Sequence, residues 1–490
     1  MKNIYLDNAA TTQVAKEVAN IISDVNSQYF GNPSSIHSVG QEARKIVDDG
    51  RRFVSFFVGC EPDEIVFTSG GSESDNLAIR GIVEAVIPAP KGTLRVETGI
   101  QAEQTTQLPG SQIKSGMTAR TEDDNCKKPH VITSAVEHHA VLHTIQDLEK
   151  EGKIEATYIK PDSDGIISVK SVEDAIRDNT ILVSIMYVNN ETGVVSPIRE
   201  IGLMLEKENS HRKSVISTSH SDEKSPAAEK NMGSLANTRD DKKSRKILFH
   251  TDAVQAAEFF EISPEYLKVD LLTFTAHKLH GPKGIGVLYV RKNTPIKPQI
   301  VGGSQELQLR AGTENISGIA GLHKALDLIL KERSDLPAGS QIKSGMTAQG
   351  DSSAEPQNDK AKGVGRDDIA TLRDKLENSI LQNISDTKLN GSKTQRAPHI
   401  TNISFINVEG EAIVLNLDFL GIAVSSGSAC TSRSLDPSHV LMAMGIPPEK
   451  AHGSIRFSLS RYTTEEEIDE VLKVLPKIIA KLRLMSPFGN

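Results

Sequence analysis

Tryptophan is absent from the 490 residues, and cysteine occurs three times, as Cys60, Cys126 and Cys430. Three scattered cysteines exclude a disulfide framework or a cysteine-rich zinc site, so any that matters does so as a thiol. No stretch approaches the roughly 20 apolar residues of a membrane span. The start, MKNIYLDNAATT, lacks a basic region followed by an apolar run. A soluble, cytoplasmic protein is therefore expected. An excess of positive charge is missing too: 56 Lys and Arg stand against 64 Asp and Glu, a formal charge of −8. Direct nucleic-acid or membrane binding through a general basic surface is not favoured, and small-molecule or protein partners fit better. The pattern GxxxxGK[ST] is also lacking, which argues against a nucleoside triphosphate site.

Aromatic residues are missing from three whole segments, 88–128, 209–245 and 334–366, and all 13 Phe and 7 Tyr fall in the remainder. Such segments, rich in Ser, Thr, Lys, Asp, Gly and Gln, cannot bury enough apolar surface to offset the entropy of ordering. They read as largely disordered loops inserted into a core. The string GSQIKSGMTA, at 110–119 and again at 339–348, lies in two of them. That spacing, with nothing similar between the copies, is not a solenoid repeat.

What is present alternates strands with helices. Short β-rich runs occur at EIVFTS (from Glu64), HVITSAV (from His130), TILVSIMYV (from Thr180), KILFHTDA (from Lys246), LLTFTA (from Leu271) and GIGVLYV (from Gly284). Between them, Ile79, Ile82, Val83 and Val86 repeat at helical spacing, and Ser196-Pro197 opens a helix with Ile198, Ile201 and Leu205 on one face. Apolar strands with intervening helices predict an α/β fold around a mostly parallel sheet flanked by helices. Beyond about residue 320 the rhythm changes and a second, smaller domain is expected.

The chemically useful residues follow the strands: SGGSES from Ser69, EHHAV from Glu137, NNETG from Asn189, DAVQ from Asp252 and HKLHGPKG from His277. Ligands of parallel sheets bind beyond the carboxyl ends of the strands, so these tips should converge. Ser69-Gly70-Gly71-Ser72 before a helix is either an ordinary turn or a phosphate cradle of backbone N–H groups and a hydroxyl. Asp252 is either a cap or core carboxylate or the anion that fixes a ring cation. His138 and His139 are helix neighbours that do not face each other, which disfavours a metal pair and leaves one imidazole to stack on a planar ligand. Lys278, directly after an apolar strand, reaches a partly desolvated tip where an amine becomes nucleophilic. Phosphate cradle, carboxylate, imidazole and lysine together suggest pyridoxal phosphate, which needs donors for its phosphate, an anion at its ring nitrogen and a lysine for its aldehyde.

YLDNAATT (from Tyr5), FGNPSSIH (from Phe30), FTSGGSESDN (from Phe67), VNNETG (from Val188), TDAVQ (from Thr251), TAHKLHGPKGIG (from Thr275), RAGTEN (from Arg310), SSGSACTS (from Ser425) and IRFSLSRYTTEEEID (from Ile455) resemble the cysteine desulfurases. These belong to the class V aminotransferase group of fold-type I pyridoxal-phosphate enzymes. The resemblance implies a large cofactor domain over 16–320 and a smaller α+β domain over 321–490, with residues 1–15 packed against the latter. It implies Lys278 as the covalent lysine, Asp252 at the pyridine nitrogen, Gln255 at the ring hydroxyl and His138 stacked on the ring. Gly71, Ser72, Thr275 and His277 would hold the phosphate, joined by Thr313 of a neighbouring subunit in a homodimer with shared sites. Asn32 and Asn190 would line the pocket, and Arg456 would clamp the substrate carboxylate.

The implied reaction converts L-cysteine to L-alanine and leaves a persulfide on Cys430, carried on a mobile loop at about 425–435. The long SSGSACTS loop resembles the group that feeds a sulfur-acceptor protein for iron–sulfur cluster assembly or transfer-RNA thiolation. A selenocysteine lyase and a class V aminotransferase are the enzymatic alternatives; the latter needs no mobile thiol. A non-catalytic sulfur-carrier scaffold would not need Lys278, Asp252 and Arg456 together. Family members usually carry Arg and Gly where Leu307 and Gln308 stand, and often Gly in place of Ser460.

Overall fold

The computed structural model describes residues 3–87, 128–219, 246–334, 366–427 and 437–485. The strands, in chain order, are β1 (Ile4–Tyr5), β2 (Ile65–Thr68), β3 (His130–Ser134), β4 (Glu155–Ile159), β5 (Thr180–Ser184), β6 (Leu248–Asp252), β7 (Leu271–Thr275), β8 (Gly286–Val290), β9 (Thr387–Leu389), β10 (Ile400–Phe405), β11 (Ile422–Ala423), β12 (Ser425–Ser426) and β13 (Ser454–Ser458). Seven of them form the large sheet in the order β2-β8-β7-β6-β5-β3-β4. β8 runs antiparallel to both its neighbours and the other pairings are parallel, so six strands point one way and end at one edge. The fold is α/β, as the alternation of elements implies.

Both faces of this sheet are buried because consecutive apolar residues point to opposite sides. Val131, Leu182, Leu248, Leu271 and Leu288 pack on one side with Ile79 and Ile82 of the helix Gly71–Val86 and Val141 and Ile145 of the helix His139–Lys150. Ile132, Val183, Phe249, Leu272 and Val287 pack on the other, within a larger core containing Ile198, Ile201 and Leu205. β4 was not anticipated: its pattern is exposed to half-buried, so EATYI lacks the apolar run that marks the inner strands.

The helix opened by Pro197 runs from Ile198 to Ser219, into the stretch whose composition suggested an insertion from Asn209. Asn209 exchanges two hydrogen bonds with the backbone of Ile247, and Arg212 donates to the carbonyls of Thr180 and Arg177. Those anchors to the sheet compensate for the missing aromatics. The rest of the aromatic-free segments, including both copies of GSQIKSGMTA, lies outside the described residues except at their borders.

After residue 366 the chain builds a second, four-stranded sheet, β12-β13-β10-β9, antiparallel throughout. The N-terminal strand β1 pairs with β11, and Asn8 donates to the carbonyl of Ser458. The first residues are thus tied to the C-terminal part before the chain passes to the large sheet. Among the described residues no helix is long and apolar enough to cross a membrane.

Candidate active site

The ends of β2, β3, β5, β6 and β7 meet around a cavity of about 330 Å³. Its wall contains Gly71, Ser72, His138, Asn190, Asp252, Gln255, Thr275, His277 and Lys278, which are nine of the residues expected from sequence. Ala9 and Ala10 of the N-terminal segment and Arg456 of β13 close it.

At one end the helix Gly71–Val86 begins. The Ser69 N–H donates to Glu73 Oε2 (2.9 Å), and Arg310 Nε donates to Glu73 Oε1 (2.9 Å), so the turn is held from two sides. A Cβ on Gly71 would lie 3.1 Å from Val254 Cγ2, and glycine keeps this approach open. A helix N-terminus with glycine and serine at its start suits an anionic phosphate. Thr275 Oγ1 donates to the Ile285 carbonyl (2.9 Å), and His277 Nδ1 lies 3.2 Å from Thr11 Oγ1. Burial first, and then the charges of Lys278 and Lys283, hold His277 down to about 4, so it is neutral at pH 7.

At the other end, Asp252 accepts the Val254 N–H at 2.9 Å. Burial pushes its carboxyl upward, opposed by that N–H and by Lys278. His138 caps the helix His139–Lys150, with Nδ1 accepting the Ala140 N–H at 3.1 Å. Burial, reinforced by Lys278, holds its imidazole at about 4. A neutral, flat imidazole in the wall suits stacking on a planar ring. Gln255 Nε2 donates to the Ala9 carbonyl at 2.8 Å. Lys278, in the turn after β7, donates from Nζ to the carbonyls of Ala9 (2.5 Å) and Ala10 (2.6 Å), which fixes its amine in the wall. Anion, imidazole, amine and helix N-terminus fit pyridoxal phosphate in charge and in shape.

Toward β13, Arg456 is 2% exposed. Its Nη1 donates to the Asn190 carbonyl and its Nη2 to Asp7 Oδ1, each at 2.8 Å, while Nε has no hydrogen-bond partner among the described residues. Two expected residues lie elsewhere in the single chain. Asn32 is exposed, its Oδ1 accepting the Ser34 N–H, and Thr313 is exposed; neither lines the cavity. Cys430 lies outside the described residues, but the chain on either side of it does not. Ser425 pairs with Arg456 across β12 and β13, Ser438 hydrogen-bonds Glu191, and His439 Nε2 donates to the Glu137 carbonyl at 2.9 Å. Both ends of the stretch that bears Cys430 are pinned beside the cavity.

Asp7, Ala9, Ala10 and Asp75 lie in motifs that carry the resemblance, yet sequence alone assigns no role at the site to them or to Met186. The alanines act through backbone carbonyls, and Asp7 meets Arg456 across a separation of 449 residues. Leu307 and Gln308 adopt left-handed backbone, with φ of 57° and 65°. Gln308 therefore stands in a conformation that favours the glycine usual in the resembled family. Ser460 has no such strain; its N–H donates to Thr463 Oγ1 and its Oγ accepts the Tyr462 N–H.

Fold and site define a pyridoxal-phosphate enzyme whose lysine follows an inner strand of a mostly parallel sheet. The chain belongs to the aminotransferase class-V family, whose model matches residues 4–109, 115–212, 232–344 and 366–471. It is 38% identical over 487 residues to cysteine desulfurase IscS of Dictyoglomus turgidum, covering 99% of this chain and 97% of that protein. It is 39% identical over 490 residues to a cysteine desulfurase of Nostoc sp., covering 100% of this chain and 96% of that one. Among solved structures, a NifS-like protein superposes with a TM-score of 0.72 at 29% identity, covering 98% of this chain and all of that one.

Proposed function

We propose that this chain is a cysteine desulfurase in which Lys278, Asp252, Arg456 and Cys430 carry the conversion of L-cysteine to L-alanine. The observation that supports it most is the anchoring of both ends of the Cys430 stretch at the rim of a cavity that holds a lysine, a carboxylate and a buried arginine. An aminotransferase has no use for a thiol there.

Bound pyridoxal phosphate supplies an aldehyde that links covalently to amines and a protonated ring that withdraws electrons from the substrate Cα. Asp252 would hold the positive charge at the ring nitrogen, Gln255 would meet the ring hydroxyl and neutral His138 would cover the ring face. Gly71, Ser72, Thr275 and His277 would take the phosphate. Arg456 presents guanidinium N–H groups to the substrate carboxylate, exchanging its bond to Asp7 for a bidentate one. Lys278 Nζ would act as the base that removes the substrate Cα proton. The Cys430 thiolate then attacks the substrate Sγ. An S–S bond forms as the Cβ–Sγ bond breaks, leaving a persulfide on Cys430; a proton added at Cβ and the proton returned to Cα from Lys278 complete alanine.

A homodimer completes the site. Phe30, Ile36 and Val301 are large apolar side chains left exposed on the segments that carry Asn32 and Thr313, which is the pattern of a covered face. In that assembly Thr313 reaches the partner's phosphate. The persulfide passes to a cytoplasmic acceptor protein, an iron–sulfur scaffold or a transfer-RNA thiolation enzyme. Incubation with pyridoxal phosphate, L-cysteine and a thiol reductant should give sulfide and alanine in equal amounts, and Cys430→Ser should abolish both in steady state. A keto acid without sulfide would sink the proposal.

A further inference from the structure

The wall that presents Asp252 contains a second carboxyl, which forms no ion pair with a lysine or arginine among the described residues. Asp75 lies one turn into the helix Gly71–Val86, is 1% exposed, and lines the same cavity. Beneath that helix, His250, Asp252 and Thr273 share one face of the sheet: His250 and Asp252 alternate along β6, and Thr273 is the cross-strand partner of Asp252. His250 Nε2 is 3.6 Å from Asp75 Oδ1 and 3.2 Å from Thr273 Oγ1, and its Nδ1 is 2.9 Å from Ser184 Oγ.

This contact is not an ion pair, because burial holds His250 at about 3 and the ring is neutral. Ser184 can donate to Nδ1, Nε2–H to Thr273, and the Thr273 hydroxyl to Asp75, which satisfies each member once. Asp75 Oδ1 has no hydrogen-bond donor among the described residues. The other titratable groups facing Asp75 are Asp252 and Glu137. Glu137 is itself raised to about 8 by burial, with Oε1 accepting from Ser134 and Met186 and Oε2 unpartnered. Lys278 pulls the Asp252 carboxyl downward. Burial and the negative charge of Asp252 raise the Asp75 carboxyl well above the usual carboxylate range.

A buried oxygen that has no donor is satisfied if it carries the proton itself. We propose that Asp75 is a positioning residue for the ring nitrogen: its un-ionised carboxyl donates from Oδ1 toward Asp252 and leaves Asp252 as the one anion opposite that nitrogen. The role rests on the reading of Asp252 as the ring partner. Asp75 acts through Asp252, holding its charge in place without adding a second one.

The test titrates full-length apoprotein with pyridoxal phosphate across the pH range and follows the acid limb of cofactor affinity. Losing a donor to a charged acceptor should move that limb upward by about one pH unit in Asp75→Leu. Asp75→Asn, whose amide also donates, should restore it to within about 0.3 unit. A limb unmoved in Asp75→Leu, or moved downward in both variants as removal of a like charge would do, overturns the proposal. Infrared spectra at pH 7 give a second reading that does not depend on the leucine variant folding. The wild type should show an un-ionised carboxyl stretch that Asp75→Asn removes and Glu137→Gln leaves; absence of that band overturns the proposal alone. Wild-type cofactor affinity in Asp252→Asn would instead overturn the ring-nitrogen reading and this inference with it.

Discussion

The large sheet brings its chemistry to the cavity on the turns beyond its strand ends, whereas the small sheet contributes Arg456 from within a strand. In the first case backbone leaves the hydrogen-bond ladder at the carboxyl edge, and polar side chains there meet one another without disturbing the core. In the second, a charged side chain departs from a strand whose residues are all buried, and it must be satisfied by groups from elsewhere. Asn190 and Asp7 do this. Tip residues can therefore be exchanged with chemical consequences and little structural cost, and Arg456 cannot.

Three substitutions sharpen that contrast. Lys278→Ala, at a tip, should lower alanine formation by at least about a thousandfold while the thermal midpoint stays close to wild type; a large drop in midpoint would break the comparison. Arg456→Lys should raise KM for cysteine by about 10- to 100-fold, since a bidentate guanidinium contact becomes a point charge. It should also lower the midpoint, because Asp7 and Asn190 lose a fitted partner; unchanged stability would place Arg456 with the tips. The smallest effect is expected for Glu137→Gln. Glu137 titrates at about 8 when folded against an ordinary 4.5, so the folded state binds the proton more tightly than the unfolded state does. Wild-type stability should fall as pH rises from the ordinary carboxyl range toward 8 and level off above it. The glutamine variant lacks that slope and should gain a few degrees on wild type between pH 5 and pH 8, read by calorimetry. Parallel curves would show that this tip is not desolvated.

The same contrast separates what was legible in the sequence from what was not. β2, β3, β5, β6 and β7 are apolar runs followed within a few residues by Gly, Asn, Asp, His or Lys, so strand, tip and chemistry stand side by side in the chain, while β8 is an equally apolar run that ends at the opposite edge. β4 was missed because an edge strand alternates with solvent and loses the apolar run. The helix Ile198–Ser219 outran its expected end because Asn209 and Arg212 hold it by polar contacts that composition does not register. Within IRFSLS, Arg456 is one basic residue among apolar ones, and only the family resemblance gave it a role. Asp75, Ala9 and Ala10 stand within motifs that carry the resemblance but received no role from it, because their partners are set by tertiary packing.

The N-terminal segment touches Lys278 through Ala9 and Ala10, Arg456 through Asp7, and Ser458 through Asn8 across 450 residues of chain. During synthesis these first residues leave the ribosome long before β11 and β13 exist. The large sheet can pair from its own local elements, but the segment must wait, unpaired, until the last strands emerge. Closure of the cavity is then a late event, and a nascent chain stalled before residue 454 would carry Lys278 in a pocket that still lacks one wall.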